Sequence, residues 1–151
     1  MDLTELGVRE AVRDLLARYT WAGDRGRSGD LAALFAEDGV LEVGAHGGRW
    51  EGRDEIARRL DAVAERVAVA GTSTGAVRHH VSSIEIDVRS AHEATARSYF
   101  LVLTSIGVDH WGRYRDRVAA GPDGTWRFLE RSVQVDGHSP GSLVVRDPGS
   151  A

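Results

Sequence analysis

The sequence contains no cysteine. That excludes a disulfide scaffold, thiolate metal ligands and a cysteine nucleophile, and it leaves the redox compartment open. It contains no lysine either, since all 19 basic residues are arginine. Schiff-base chemistry through a lysine amine is therefore excluded. No apolar run reaches the ~20 residues that a membrane-spanning helix needs. The N-terminus MDLTELGVRE lacks the pattern of a secretory signal, so the cytoplasm is the expected compartment. Nor is there an excess of positive charge. A formal net charge of −4 and a pI near 5.8 give no electrostatic footprint for nucleic acid or an anionic membrane surface. No His, Asp and Glu set has metal-ligand spacing, so neither a metal nor another cofactor is expected.

What remains is an ordinary globular composition. The 151 residues, 42% hydrophobic and 28% charged, suffice for one domain with a real core. Val8, Val12, Leu15, Tyr19 and Ala22 recur at helical spacing, so a first helix is expected over Leu3–Gly23, with Asp2 and Glu5 as its capping pair. GDRGRSGD, residues 23–30, reads as a turn-rich break. A short second helix is expected over LAALFAEDG with Gly39 as its stop, followed by a strand and return in VLEVGAHGGRWEG. A third helix begins after Gly52 with the stripe Ile56, Leu60, Val63 and Val67, and Gly71 ends it. TSTGA reads as a loop.

From Val77 the pattern becomes β. VRHHVSSIEIDV, EATARSYFLVLTSI, GRYRDRVAA and TWRFLERSVQVD are strand candidates joined by RSAH, GVDH and GPDG, which predicts an antiparallel meander. Residues 1–137 then form the domain, and 138–151 an irregular or loosely attached tail. Helices gathered early and strands late indicate an α+β fold, a curved antiparallel sheet with three helices packed on one face around a cavity.

Four stretches, LLARYTWAGDRGRSGDLAALFAEDGVLEV, WEGRDEIARRL, RHHVSSIEID and GRYRDRV…DGTWRFLERSV, together resemble the SnoaL-like branch of the NTF2-like superfamily over residues 5–136. The resemblance implies a cone-shaped α+β barrel with a deep apolar pocket, and a homodimer or homotrimer. Members of that superfamily include dehydratases, a dehydrochlorinase, isomerases, polyketide cyclases and the small subunits of ring-hydroxylating dioxygenases, so fold does not fix chemistry. In the dehydratase and dehydrochlorinase branches an aspartate near the end of the first helix pairs with a histidine at the head of a later strand. Asp24 matches the first, and Tyr19 matches a tyrosine five residues before it. For the histidine there are two alignments. The dehydrochlorinase-like pattern selects His79; a gapless match anchored on IEID selects His80. Two positions depart from the dehydratases: their acidic residue in the SYFLVL strand is apolar here, near Val102, and their C-terminal arginine has only Arg131 nearby.

Strand parity bears on the choice. His80, Ser82, Ile84, Ile86 and Val88 share one face, and His79, Val81, Ser83, Glu85 and Asp87 the other. If the isoleucine face is the core, alternation selects His80; selecting His79 requires a β-bulge near Ser82–Ser83. Helical geometry adds a second tension. At ~100° per residue, Asp24 sits roughly 140° around the helix from Tyr19, off the apolar stripe unless the helix ends or tightens there.

An Asp–His pair is a general-base device: the carboxylate fixes the imidazole tautomer and stabilises the imidazolium that forms. Such a base abstracts a proton next to a carbonyl or leaving group, and a phenol can polarise the substrate oxygen. The expected function is a cofactor-independent lyase or isomerase acting on a small apolar, cyclic or polyketide-like substrate, with Asp24, His79 and Tyr19 as catalytic candidates. His80, Trp21, Phe35, Tyr99, Tyr114 and Arg131 are the substrate-binding candidates. The rival reading is a ligand-binding domain without catalysis, or an accessory subunit of an oxygenase. Asp116 reads as a structural hydrogen-bonding group, the arginines alternating with it as facing solvent or a subunit contact, and His46, His92, His110 and His138 as loop or turn residues.

Overall fold

The computed structural model describes residues 1–44, 47–69 and 77–145. His46, Gly71, the loop expected over 72–76 and the last six residues of the tail lie outside the described residues. The chain forms α1 (Leu3–Asp24), α2 (Ser28–Ala32), β1 (Phe35–Val43), β2 (Gly48–Glu51), α3 (Arg53–Val69), β3 (Arg78–Ser90), β4 (Glu93–Thr104), β5 (Gly107–Ala120) and β6 (Trp126–His138). No helix among the described residues is long and apolar enough to cross a membrane.

The first helix starts where its cap allows. Asp2 Oδ1 accepts the Glu5 backbone N–H at 2.8 Å, satisfying one of the free amides of the first turn for about 1 kcal/mol. Val8, Val12, Leu15, Leu16 and Tyr19 form its buried stripe. Arg9 Nη1 donates to the Ile86 carbonyl at 2.8 Å and so ties α1 to β3.

The segment expected as a second helix divides instead. Only Ser28–Ala32 is helical, and Phe35 opens a strand. Helix propensity is a weak prior that tertiary packing overrides. Phe35 is fully buried, with ring centroids 5.1 Å from Phe128 and 6.3 Å from Tyr19. Burying such a ring favours folding by about 1.5–3 kcal/mol, more than several residues of helix propensity. Leu34 O also accepts the Phe128 N–H at 2.9 Å, which commits this stretch to the sheet.

The strand order is β2-β1-β6-β5-β4-β3. All neighbours are antiparallel except β1 and β6, which run parallel, so the sheet is mixed rather than wholly antiparallel. It is curved but unclosed, with β2 and β3 as its edges among the described residues. The β4–β5 turn falls at Ser105–Ile106, and the expected connector GVDH is already strand. Core side chains from α1, α2, α3 and the sheet form one main cluster, and Phe100, Val102 and Tyr114 a second beside it. Residues 139–145, the described part of the tail beyond β6, lack regular structure, and Ser142 and Leu143 hydrogen-bond to the buried Asp109 carboxylate.

Along β3 the register slips. Ser82 stands opposite Tyr99 but Glu85 opposite Arg97, three steps against two, and Ser83 takes a positive φ of 52°. This is a β-bulge. It reverses parity within the strand, so that His79 and Val81 share a face with Ile84 and Ile86 while His80 is exposed on the other.

Candidate active site

A cavity of about 600 Å³ opens between the C-terminal end of α1, the face of α3 and the ends of β3, β4 and β5. Its wall is largely apolar, with Leu31, Leu60, Val63, Ala64, Val77, Val102 and Val144 contributing. The uncharged or acidic polar side chains that reach it include Tyr19, Asp24, His79 and His110, with the exposed Arg25, Arg27 and Arg78 also bordering it. The volume suits a ring-sized organic molecule.

Asp24 reaches this wall because α1 ends there. Arg27 N–H donates to Ala22 O and Gly26 N–H to Gly23 O, both at 3.0 Å, with Gly26 at a φ of 66°. These bonds make a Schellman termination, whose left-handed position glycine fills without a Cβ penalty. The helix thus stops as the chain leaves Asp24, which removes the angular objection raised by an unbroken helix.

The Asp24 carboxylate, 8% exposed, is held by β3. His79 backbone N–H donates to both oxygens, at 3.2 and 3.1 Å, and His79 Nδ1 lies 2.5 Å from Oδ1. The backbone bonds use an amide of an edge strand, so the carboxylate stays aligned whether or not the ring is charged. A carboxylate only accepts, so the shared proton belongs to Nδ1 and the neutral ring keeps its lone pair on Nε2. His79 is 24% exposed and lines the cavity. The arrangement can take a proton at Nε2 and stabilise the resulting imidazolium through Asp24.

Behind the cavity lies a buried ion pair. Arg131 Nε and Nη2 donate to Asp116 Oδ1 and Oδ2 at 2.7 and 2.9 Å, with both side chains almost fully buried. The guanidinium lies 4.1 Å from the ring centroids of Tyr19 and Tyr114 and 4.4 Å from that of Phe128. Burial pushes the Tyr19 phenol above its ordinary pKa, with the Arg131 charge opposing, and burial pushes Tyr114 up strongly as well. Both phenols therefore remain protonated donors at neutral pH.

The structure brings Asp24, His79, Tyr19 and Trp21 to one cavity. The other substrate-binding candidates stand apart from it. His80 is exposed on the opposite face, because the Ser83 bulge gives the inner face to His79. Tyr99 is 59% exposed, since it alternates with the inward Ser98 and Phe100. Phe35 and Tyr114 are core residues, and Arg131 is sealed behind Tyr19 by its pairing with Asp116. His110, expected in a turn, lies within β5 and on the cavity wall. Sequence reading missed it because GVDH has turn composition; its only signal was the neighbouring Asp109. His138, also expected in a turn, ends β6. Among the described residues no group of three or more His, Asp or Glu side chains could hold a metal ion.

Comparison with known proteins agrees with this architecture. The family profile described as the SnoaL-like domain matches residues 4–132. A putative scytalone dehydratase from Novosphingobium aromaticivorans is 27% identical, covers 100% of this chain and 99% of its own, and superposes with a TM-score of 0.73. An NTF2-like protein with a cystatin-like fold from Novosphingobium aromaticivorans is 26% identical over 96% of this chain and 98% of its own, with a TM-score of 0.72. LinA, 20% identical over 92% of each chain with a TM-score of 0.75, shares the fold. No curated protein matches the sequence significantly.

Proposed function

Because the chain belongs to the SnoaL-like family, we propose that it is a cofactor-independent lyase or isomerase in which an Asp24–His79 dyad abstracts a proton from a small, mainly apolar, cyclic or polyketide-like substrate. The observation that carries this reading is the 2.5 Å contact between Asp24 Oδ1 and His79 Nδ1 on the wall of an apolar cavity. His79 Nε2 is the base. Asp24 orients the ring and stabilises its charge, and the protonated Tyr19 phenol donates to the oxygen on which negative charge develops. Similarity to a putative scytalone dehydratase supports the elimination and isomerisation end of the range. The proposal includes the cytoplasm as compartment and a homodimer or homotrimer as assembly, the latter measurable by light scattering.

The test is turnover of cyclic β-hydroxyketones and their enolisable ketone parents, followed by NMR in D2O. The wild type should eliminate water or exchange the α-proton. Asp24→Asn and His79→Ala should each lower the rate by about 10²–10⁴ while keeping the wild-type melting profile. Full activity in both variants, on a substrate the wild type turns over, would falsify the dyad. Ligand capture without turnover by the wild type would favour a binding domain instead.

A further inference from the structure

A second imidazole faces the same cavity, and the proposed dyad does not use it. Asp109 and His110 are neighbours on β5, where adjacent side chains ordinarily point to opposite faces. Here both are buried. Val102 pairs with His110 but Leu103 with Val108, so Asp109 is an extra residue on β5 and turns inward with its neighbour.

The Asp109 carboxylate is enclosed by donors. It lies 2.7 Å from His110 Nδ1 and accepts from Thr104 Oγ1 at 3.1 Å, Ser142 Oγ at 2.6 Å and the Leu143 N–H at 2.8 Å. Burial alone would push this carboxyl up, but the bonds from Ser142, Leu143, His110 and Thr104 outweigh it and hold the pKa below the usual carboxylate range. Burial pushes the His110 imidazole below its ordinary value, with Asp109 opposing only in part. The ring is therefore neutral at pH 7. Its proton sits on Nδ1 facing the carboxylate, and its lone pair sits on Nε2. Asp109 occupies Nδ1, so Nε2 is the ring nitrogen His110 has left to offer the cavity it lines.

Two carboxylate-held imidazoles therefore show lone pairs to one apolar chamber. A substrate carbonyl or ether facing such a nitrogen would lose its hydrogen bond to water without replacement, whereas a hydroxyl would regain one. We infer that the cavity is built for a hydroxylated ring compound whose O–H donates to His110 Nε2, while His79 works on a separate part of the same molecule. The inference rests on the proposed function only for the part given to His79. Asp109 is a positioning residue, acting through the His110 ring.

Calorimetric titration with 2-naphthol and with 2-methoxynaphthalene tests the recognition without turnover. The wild type should bind the naphthol roughly 3- to 10-fold more tightly than its methyl ether, the range expected for one neutral hydrogen bond. His110→Phe should bring that ratio close to one. Equal binding of both probes by the wild type, binding of neither, or an unchanged preference in His110→Phe would overturn the inference. Should His110→Phe fail to fold, imidazole ¹⁵N spectra of the wild type decide: the His110 Nε2 resonance should move with naphthol and not with the ether. A resonance unmoved by naphthol overturns the inference. These readouts are independent of catalysis, so their failure leaves the Asp24–His79 proposal standing, and an inactive dyad leaves them unaffected.

Discussion

Asp116→Ala should be among the most damaging single substitutions in this chain. In the native protein the carboxylate accepts two hydrogen bonds from a guanidinium that is 1% exposed. Alanine removes both and leaves a cation with neither partner nor water. The rings of Tyr19, Tyr114 and Phe128 remain against it, but an aromatic face contributes only about 2 kcal/mol to a desolvated cation and accepts no in-plane N–H. Removing one member of such a pair costs about 3–5 kcal/mol. Against a total stability of about 5–15 kcal/mol, that is a large share. At roughly 2–4 °C per kcal/mol for a domain of this size, the melting temperature should fall by about 6–20 °C. Urea titration and calorimetry at pH 7 measure both quantities. The double variant Asp116→Leu with Arg131→Met removes both charges and should lie within about 2 kcal/mol of wild type, because the desolvation penalty disappears with them. A loss below about 1 kcal/mol for Asp116→Ala would mean that the guanidinium reaches water. A double variant as unstable as the single would mean that lost packing, not the stranded charge, sets the cost.

The bulged segments of β5 and β3 give further expected outcomes. The folded His110 ring has a lower pKa than the ordinary imidazole, so the unfolded chain binds its proton first as pH falls through about 6.5. Stability should decline from neutral toward acid until the folded ring also protonates, and His110→Phe should flatten that decline in urea midpoints between about pH 7 and pH 5. The lowered Asp109 carboxyl acts separately: its stabilisation is present above the ordinary carboxylate pKa and is lost as pH falls through its folded value. At the β3 bulge, Ser83 occupies a left-handed conformation that glycine adopts freely, so Ser83→Gly should raise stability by about 0.5–1 kcal/mol. Thermal unfolding measures it, and a clear loss would show that the Ser83 side chain makes a contact worth more than the backbone conformation costs.

The parts of the fold legible in the sequence were those with local causes. The α1 cap and stripe, the α3 stripe and the strand content after Val77 all follow from spacing within a few residues. Phe35 shows where local reading stops. Its segment has helical composition, and only a ring contributed by Phe128 and a parallel partner far along the chain make it a strand. The site divides in the same way. Tyr19 and Asp24 come from the family resemblance, against a helical geometry that sets Asp24 off the apolar stripe, and the alternatives His79 and His80 are separated by one irregular residue, Ser83, that parity alone does not specify. Asp109 and His110 are hidden because GVDH has turn composition, and the bulge that turns both inward depends on the pairing of β4 with β5. Arg131 is a substrate-contact candidate only because it lies near the position of the dehydratases' C-terminal arginine; its enclosure by Asp116 and aromatic rings depends on cross-strand register.

The parallel pairing of β1 with β6 also bears on how the chain reaches this state. Leu41 is matched with Arg131 and Val43 with Val133, whereas β3 to β6 are successive hairpins with short turns. Closing a segment of about ninety residues costs more chain entropy than closing a hairpin and slows the route through it. The meander is thus the part of the sheet that can assemble from local contacts, and β1 with β2 docks onto a β6 edge that must already exist. Asp24 and His79, 55 positions apart, meet at the opposite edge of the sheet, where the end of α1 packs on β3. The meander alone contains both cavity-facing histidines, His79 and His110, whereas the Asp24 carboxylate that His79 meets is brought to it from the helical half of the chain.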